Sequence, residues 1–346
     1  MIEVIKHGII LEKSTDGFEN EGVLNPAAID HDGTIYLFYR AVSKGNHSTI
    51  GLCTLTDPLI VDNRQDEPVI FPQNDYECQG VEDPRIVKIE DKFYLSYTAY
   101  DGVNALGAIA CSTDLLAWHK SGIVVPQITY DEFRHLAESK GHINEKYLRY
   151  NIQKSTHEKP DKNILIWDKN VILFPRKIND KFYFLHRIKP DIQIACVDNL
   201  EDLNAEFWQK YFLRFNESIV IAPKYKHELS YIGGGCPPIE TKEGWLIIYH
   251  GVYDTVKGYI YTACAALLDL ENPSKLIARL PYPLFKPEHS WEVRGEVNNV
   301  CFPTGAIVRE GQLYIYYGAA DERIGCASIN MSDLIIELLQ NKESNE

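Results

Sequence analysis

Methionine is nearly absent from this chain, 2 residues in 346, and no apolar run approaches the roughly 18 residues that a membrane helix requires. The opening stretch, MIEVIKHGIILEKS, lacks a basic start followed by an apolar segment and a small-residue cleavage site, so a secretory signal is not expected. Basic residues are in deficit, 35 against 49 acidic ones, for a formal charge of −14. That balance disfavours a sequence-independent grip on nucleic acid, which needs clustered Lys and Arg. It leaves room for a small anion in a local basic pocket. The 8 cysteines form no CxxC pair and no metal-ligand spacing. A reduced, cytoplasmic protein without disulfides, bound metal or membrane partner is therefore the expectation. Aromatics, by contrast, are abundant, with Tyr 21, Phe 13 and Trp 5, as in a β-rich protein with a polar, sugar-compatible surface.

One phrase occurs five times: a turn, then alternating aromatic and aliphatic residues, then a polar pair. The copies are DGTIYLFYRA (Asp32–Ala41), EDKFYLSYTA (Glu90–Ala99), NDKFYFLHRI (Asn179–Ile188), KEGWLIIYHG (Lys242–Gly251) and EGQLYIYYGA (Glu310–Ala319). Each reads as a turn-bounded short strand. A proline-marked segment precedes each copy (NPAAI, EDPRIV, FPRKI, CPPIE, FPTGAIV), and a small-residue strand follows most of them. Five of the cysteines, Cys53, Cys111, Cys196, Cys264 and Cys326, are expected to occupy the same place in those small-residue strands, where Cys packs as a small apolar residue. No single unit of this kind buries both faces alone, and radial closure leaves only short edges. The pattern predicts an all-β, five-bladed β-propeller forming one domain over residues 1–346. A helical insertion, about residues 119–165, separates the second and third blades. In it Thr129 and Glu132 form a capping box, Ile143, Tyr147 and Leu148 keep helical spacing, and Pro160 stops it; a lid or an oligomer contact is the expected role. MSDLIIELLQ reads as a short C-terminal helix before a disordered ESNE tail.

Polar residues at strand ends of a propeller converge on the mouth of its channel. The repeat puts Arg40, Asp83, Arg85, Lys177, His186, Arg187, His250 and Asp321 at such ends. A carboxylate beside several cations can protonate a leaving group and hold an anion. Taken singly, each has a structural explanation: Asp83 caps a turn before Pro84, His186 and Arg187 satisfy backbone carbonyls, and His250 ends a strand. One register of the five related strands, however, carries Arg40, Thr98, Arg187, His250 and Gly318, a variation that a purely structural repeat does not require.

The segments NPAAI…YLFYRA, GVEDPRI, DKNVILFPRKIND…FLHR, IGGGCPPIETKEGWLIIYHGV, ALLDLENPSKLIARLPYPLF, VNNVCFPTGAIV and YYGAAD together resemble glycoside hydrolase family 130, over about Asn25 to Cys326. These are inverting β-mannoside phosphorylases, with a few hydrolases, built as five-bladed propellers. The resemblance implies phosphorolysis of a β-mannoside to α-mannose 1-phosphate. Inorganic phosphate is then the co-substrate and no other cofactor takes part. It implies that Asp83 is the acid, passing its proton through a sugar hydroxyl to the glycosidic oxygen. Lys169, Arg187 and His250 map to the phosphate pocket, with Tyr261 nearby. Asn25, Arg40 and Asp321 match residues that hold the mannose, and Glu82, Arg85 and His186 are expected to bind the sugar with them. At Tyr231 the family commonly has Lys, so one cation is missing. A hydrolase or a mannosyltransferase on the same scaffold is the alternative. A hydrolase needs a carboxylate base, for which Glu82 and Glu296 are the nearest candidates. A homo-oligomer fits the insertion. A furanosidase-type propeller leaves the basic cluster unexplained, and a WD-repeat interaction module would recur at roughly 40–45 residues with a GH…WD signature that is absent here.

Overall fold

The computed structural model describes residues 2–149 and 163–343. Five four-stranded antiparallel units follow one another along the chain. The first comprises Gly22–His31, Thr34–Ser43, His47–Asp57 and Ile60–Arg64; the second Gly80–Ile89, Lys92–Tyr100, Ala105–Ser112 and His119–Ile123. The third runs Lys169–Leu173, Phe182–Arg187, Ile192–Val197 and Ile219–Ile221. The fourth holds Tyr231–Gly234, Trp245–Thr255, Gly258–Leu268 and Leu276–Arg279, with Ile239–Glu240 also paired to its second strand. The fifth takes Cys301–Arg309, Gln312–Ala319 and Arg323–Asn330 from the end of the chain and Ile5–Leu11 from its beginning. A single parallel pair, Ser48 with Gly80, bridges the first two units. Hairpin turns at Asp32-Gly33, Asn179-Asp180 and Glu310-Gly311 place both central residues at positive φ, the turn whose twist matches flanking strands.

Apolar side chains sort into five clusters, each between neighbouring units: first with second, second with third, third with fourth, fourth with fifth, and fifth with first. The small residues of the third strands (Ala108, Ala110, Ala263, Ala265, Ala327) let these faces approach closely. The first strands of successive units also touch, Gly22–His31 lying against both Gly80–Ile89 and Cys301–Arg309.

Two local devices recur. In the first strands, pairing slips between Leu24 and Ala27, Glu82 and Arg85, and Lys169 and Ile172. At these bulges Asn25, Asp83 and Asn170 adopt left-handed φ of 48°, 50° and 56°. A bulge re-aims the side chain it carries. The second device is a buried clamp: a glutamate on the short helical turn before the first strand accepts from a tyrosine of the second strand and pairs with a cation from the outermost one. Glu19 takes Tyr39 at 2.7 Å and Arg64 at 2.8 Å. Glu77 takes Tyr97 at 3.0 Å and also Lys120. Glu228 takes Tyr249 and Arg279, both at 2.7 Å, and Glu292 takes Tyr317 and Lys6, both at 2.8 Å. Burial alone would raise these carboxyls, yet Lys120 and Lys6 hold Glu77 and Glu292 below their ordinary range. In the third unit His186 stands at the tyrosine position and contacts Asp168 at 2.8 Å and the Tyr211 hydroxyl at 2.7 Å.

Several expectations need correction. Proline does not mark the first strand in the third and fourth units: Lys169–Leu173 ends before Pro175, and Tyr231–Gly234 before Pro237, because proline offers no donor to the ladder. The five cysteines share a strand but not a register, Cys53 facing Leu37 and Cys264 facing Tyr249. Residues His119–Ile123 are not insertion but the outer strand of the second unit. The capping box is present, with the Thr129 amide donating to Glu132 Oε2 at 2.7 Å, and it starts the helix Tyr130–Ala137. Ile143 is not helical, Tyr147 and Leu148 form a short 3-10 turn, and Pro160 lies outside the described residues. The helix is not a free lid. Phe133 is fully buried, its ring 5.1 Å from both Phe212 and Phe215, against the helix Ala205–Phe212. The helix Met331–Gln340 buries Leu334, Ile335 and Leu338, and the residues beyond Glu343 lie outside the description. Among the described residues no helix is long and apolar enough to cross a membrane.

Candidate active site

The bulged first strands and the register shared by Arg40 and Arg187 meet at one cavity of about 360 Å³; His250, in the same register, does not line it but packs against its lining. Asn25, Arg40, Asp83, Asp321, Lys169, Asn170, Arg187, Lys189, Tyr231 and Tyr261 line the cavity, with Lys169 near enough to Asp83 for each to shift the other. Trp167, Tyr259, Val300 and Phe302 complete the wall.

Asn25 Nδ2 donates to Asp83 Oδ1 at 2.7 Å. Arg40 reaches Glu82 Oε1 at 2.9 Å and Asp83 Oδ1 at 3.7 Å, while its Nε donates to Ser48 Oγ at 2.9 Å. Gly318 makes this possible, because a Cβ there would stand 2.0 Å from Asn25 Oδ1. The two aspartates are driven apart. Burial raises both, but Arg40, Lys169, Arg85 and the Asn25 amide bring Asp83 below its ordinary range. Asp321 is pushed up to about 6, by burial first, against Arg40 and with the repulsion of Asp83. Two carboxyls with divergent proton affinities in one cavity are the pattern of an acid–base site.

Burial lowers Lys169, Arg187 and, furthest, Lys189; neighbouring cations add to it at Lys169 and Lys189, while Asp83 opposes it at Lys169 and Arg187. The Lys189 ammonium stands 4.0 Å above the Tyr231 ring, and the Arg187 guanidinium 5.4 Å from it. Tyr231 and Tyr261 share a hydrogen bond of 2.5 Å. Beneath them His250 is fully buried, its ring 4.4 Å from Phe302. Gly233 leaves the room: a Cβ there would meet His250 Cε1 at 2.5 Å and Arg187 Cδ at 2.8 Å. Burial and the cations Arg187, Arg85, Lys189 and Lys169 push His250 well below its ordinary range. The imidazole is thus neutral and offers an N–H rather than the positive charge expected of it. Arg187 Nε, both His250 nitrogens, Asn25 Oδ1 and Asn170 Oδ1 are buried without a hydrogen-bond partner. Buried polar atoms are rarely left so; Arg187, Asn25 and Asn170 line the cavity, and His250 lies behind its lining residues Tyr261 and Phe302.

Five of the sequence-derived positions stand elsewhere. Arg85 is behind the pocket: its Nε donates to Gly235 O, and Nη1 to Asp83 O at 2.9 Å and Pro84 O at 3.0 Å, so it braces the bulge instead of touching a ligand. His186 faces away, since adjacent strand residues alternate and Arg187 takes the inward place; it is the clamp of the third unit. Lys177 is on the surface, paired with Glu90 at 3.2 Å. Glu296 is exposed and does not line the cavity. Glu82 is held behind Arg40. Sequence reasoning missed Lys189, Asn170, Trp167 and Tyr259. Asn170 could have been found by aligning LNPAA, EDPRI and KNVIL, and Lys189 by the period of two from Arg187. The group His227, Glu228 and Cys264 is close enough to suggest a metal, but Glu228 is already taken by Tyr249 and Arg279.

A sugar-sized cavity lined by two carboxylates and a cluster of cations is suited to a polyhydroxylated ligand and an anion. The sequence model of the family described as beta-1,4-mannooligosaccharide phosphorylase, glycoside hydrolase family 130, matches residues 15–341. This chain belongs to that family. It is 33% identical over 338 residues to a 1,2-beta-oligomannan phosphorylase of Thermoanaerobacter sp. (strain X514), covering 94% of this chain and 96% of the relative. It is 35% identical over 329 residues to a beta-1,2-mannobiose phosphorylase of the same organism, covering 90% and 91%. The solved beta-1,2-mannobiose phosphorylase of Listeria innocua in complex with beta-1,2-mannobiose shares the fold, with a TM-score of 0.73 at 21% identity over 97% of this chain and 99% of that one.

Proposed function

We propose that this protein is an inverting β-mannoside phosphorylase that releases α-mannose 1-phosphate. The observation that carries this reading is the charge of the cavity lining: three cations, Lys169, Arg187 and Lys189, share it with Asp83 and Asp321, the two carboxylates among the described lining residues, which are read as the acid and a mannose contact. Phosphate is held by Lys169, Arg187 and Lys189, with N–H and O–H donation from His250, Tyr231 and Tyr261. Lys189 supplies the charge that Tyr231 lacks. A hydrolase would need a carboxylate base as well. Asn25, Arg40 and Asp321 hold the mannose, and Asp83 supplies the proton to the departing oxygen while a phosphate oxygen attacks C1 from the opposite face. Asp83 is ionised at rest. A phosphate dianion offsets Lys169, one of the cations that hold it so, and proton uptake by Asp83 therefore accompanies phosphate binding.

The relatives covering nine-tenths of the chain are named for β-1,2-linked substrates, so β-1,2-mannobiose is the first substrate to test. The five units are read as the blades of a single-domain propeller. The cyclic order of the apolar clusters and the N-terminal strand in the fifth unit support this. Cytoplasmic location and the absence of a cofactor other than phosphate belong to the same reading. The experiment is incubation of the protein with β-1,2-mannobiose, with and without phosphate. Mannose 1-phosphate formed only in the presence of phosphate is expected; free mannose at an equal rate without phosphate refutes the reading.

A further inference from the structure

A second cavity, of about 560 Å³, adjoins the first. The two share Lys189, Tyr231 and Tyr259, whereas none of Asn25, Arg40, Asp83 and Asp321 lines the second. It therefore opens beside Lys189. In an inverting displacement the nucleophile and the leaving group occupy opposite faces of the sugar. A ligand group that enters this cavity is thus joined to the attacking anion and not to the departing sugar.

Its chemistry matches an anion. Lys146, Arg149 and Lys226 join Lys189 there, against a single carboxylate, Asp254, among the described lining residues. This excess of positive charge occurs on a chain whose formal charge is −14, so it is local and not a general property of the surface. Lys146 is fixed by donating to Leu229 O at 2.9 Å. Lys226 is exposed and carries no ion pair among the described residues. Tyr253 and Tyr259 come from the two 11-residue strands of the fourth unit, whose length carries them out over the first strand, and they form an aromatic wall. Cations beyond those needed for one phosphoryl group, in a cavity that shares Lys189, Tyr231 and Tyr259 with the first, make a site for a second one.

We propose that this cavity binds a phosphoryl group linked to the one held by Lys169, Arg187 and Lys189, so that the protein takes diphosphates as well as orthophosphate. The assignment of the inner group rests on the function proposed above. The test uses inorganic pyrophosphate without divalent metal, in calorimetric titration of the full chain and as an inhibitor of phosphorolysis, at matched ionic strength. Pyrophosphate is expected to compete with orthophosphate and to bind at least about tenfold more tightly, the scale of one added charge-assisted contact. Lys226→Met and Lys146→Met should each weaken pyrophosphate by about tenfold while changing the KM for orthophosphate less than about twofold. Lys226 is exposed, so its replacement leaves the fold intact. Pyrophosphate binding no tighter than orthophosphate, or insensitive to both substitutions, overturns the proposal while phosphorolysis stands. Lys226-dependent pyrophosphate binding in a protein that shows no phosphorolysis retains the site and overturns the reaction instead.

Discussion

Replacing Asp321 by Asn should stabilise the protein while disabling it. The Asp321 carboxyl is raised from 3.8 to about 6, chiefly by burial and then, against Arg40, by the charge of Asp83. The folded protein therefore holds this proton more tightly than the unfolded chain does. Its stabilising contribution is complete below pH about 3.8 and is lost as pH climbs through about 6. A rise of about two pH units, at roughly 1.4 kcal/mol each, sets the cost of the ionised carboxylate near 3 kcal/mol at pH 8. Asn keeps the shape and removes that cost. With an unfolding entropy of about 2.1 cal/mol/K per residue, a chain of this size gains roughly 4 °C in Tm. Thermal melts of both proteins in phosphate-free buffer should show that gain at pH 8 and almost none at pH 4. An unchanged or lower Tm at pH 8, or an equal gain at both values, would refute the electrostatic reasoning. Mannoside binding should be lost in the same variant, because Asp321 lines the cavity.

Asp83→Asn should act in the opposite sense on stability, lowering Tm at neutral pH by leaving Arg40 short of a partner, and should cut turnover by at least the ~10²–10⁴ of general acid catalysis. Lys189→Met should raise the KM for phosphate about tenfold with little change for the mannoside, and Tyr231→Lys should restore it in that background but not improve the native enzyme, where two ammonium groups would crowd. Gly318→Ala should abolish activity in a folded protein by displacing Asn25 from Asp83, seen as lost turnover with a near-normal melt. Phe133→Ala should cost about 3–5 kcal/mol in denaturant unfolding, the scale of a large aromatic removed from a core; a loss under 1 kcal/mol would return the insertion to the role of a peripheral lid.

The repeat was legible because each second strand kept its turn, its period of two and its inward polar position. Arg40, Arg187 and His250 were therefore placed correctly in register, and the bulge residues Asn25 and Asp83 announced themselves through the following proline. Asn170 was hidden for the same reason: the third unit carries Val171 after its bulge, and the nearby Phe174-Pro175 drew attention to the wrong segment. His186 and Arg85 were misplaced because sequence gives the strand but not the face on which a polar pair divides, nor the carbonyls waiting behind a bulge. The helix Ala205–Phe212 went unread although Asn204 caps it, since its buried Trp208 and Phe212 lie among aromatics that also suit strands. Charge state was beyond sequence altogether: the neutrality of His250 arises from burial and then from four cations contributed by two other units.

The strand Ile5–Leu11 gives the molecule an order of assembly. Ile5 pairs with Ser328, and Lys6 reaches Glu292, a contact 286 residues away along the chain. During synthesis this strand and its lysine wait, unpaired, until almost every other residue has been made. The four earlier units can form as they emerge, whereas the fifth has a ready edge but no fourth strand until the ends meet. Contacts of such separation are slow to form because closure must precede the reward. Closure of the fifth unit also sets Cys301–Arg309 beside Gly22–His31, so the strand carrying Asn25 gains its neighbour only after residues 301–309 have been made. A ribosome-bound chain halted before residue 323 should expose Ile5–Leu11 to protease, and the released full chain should protect it.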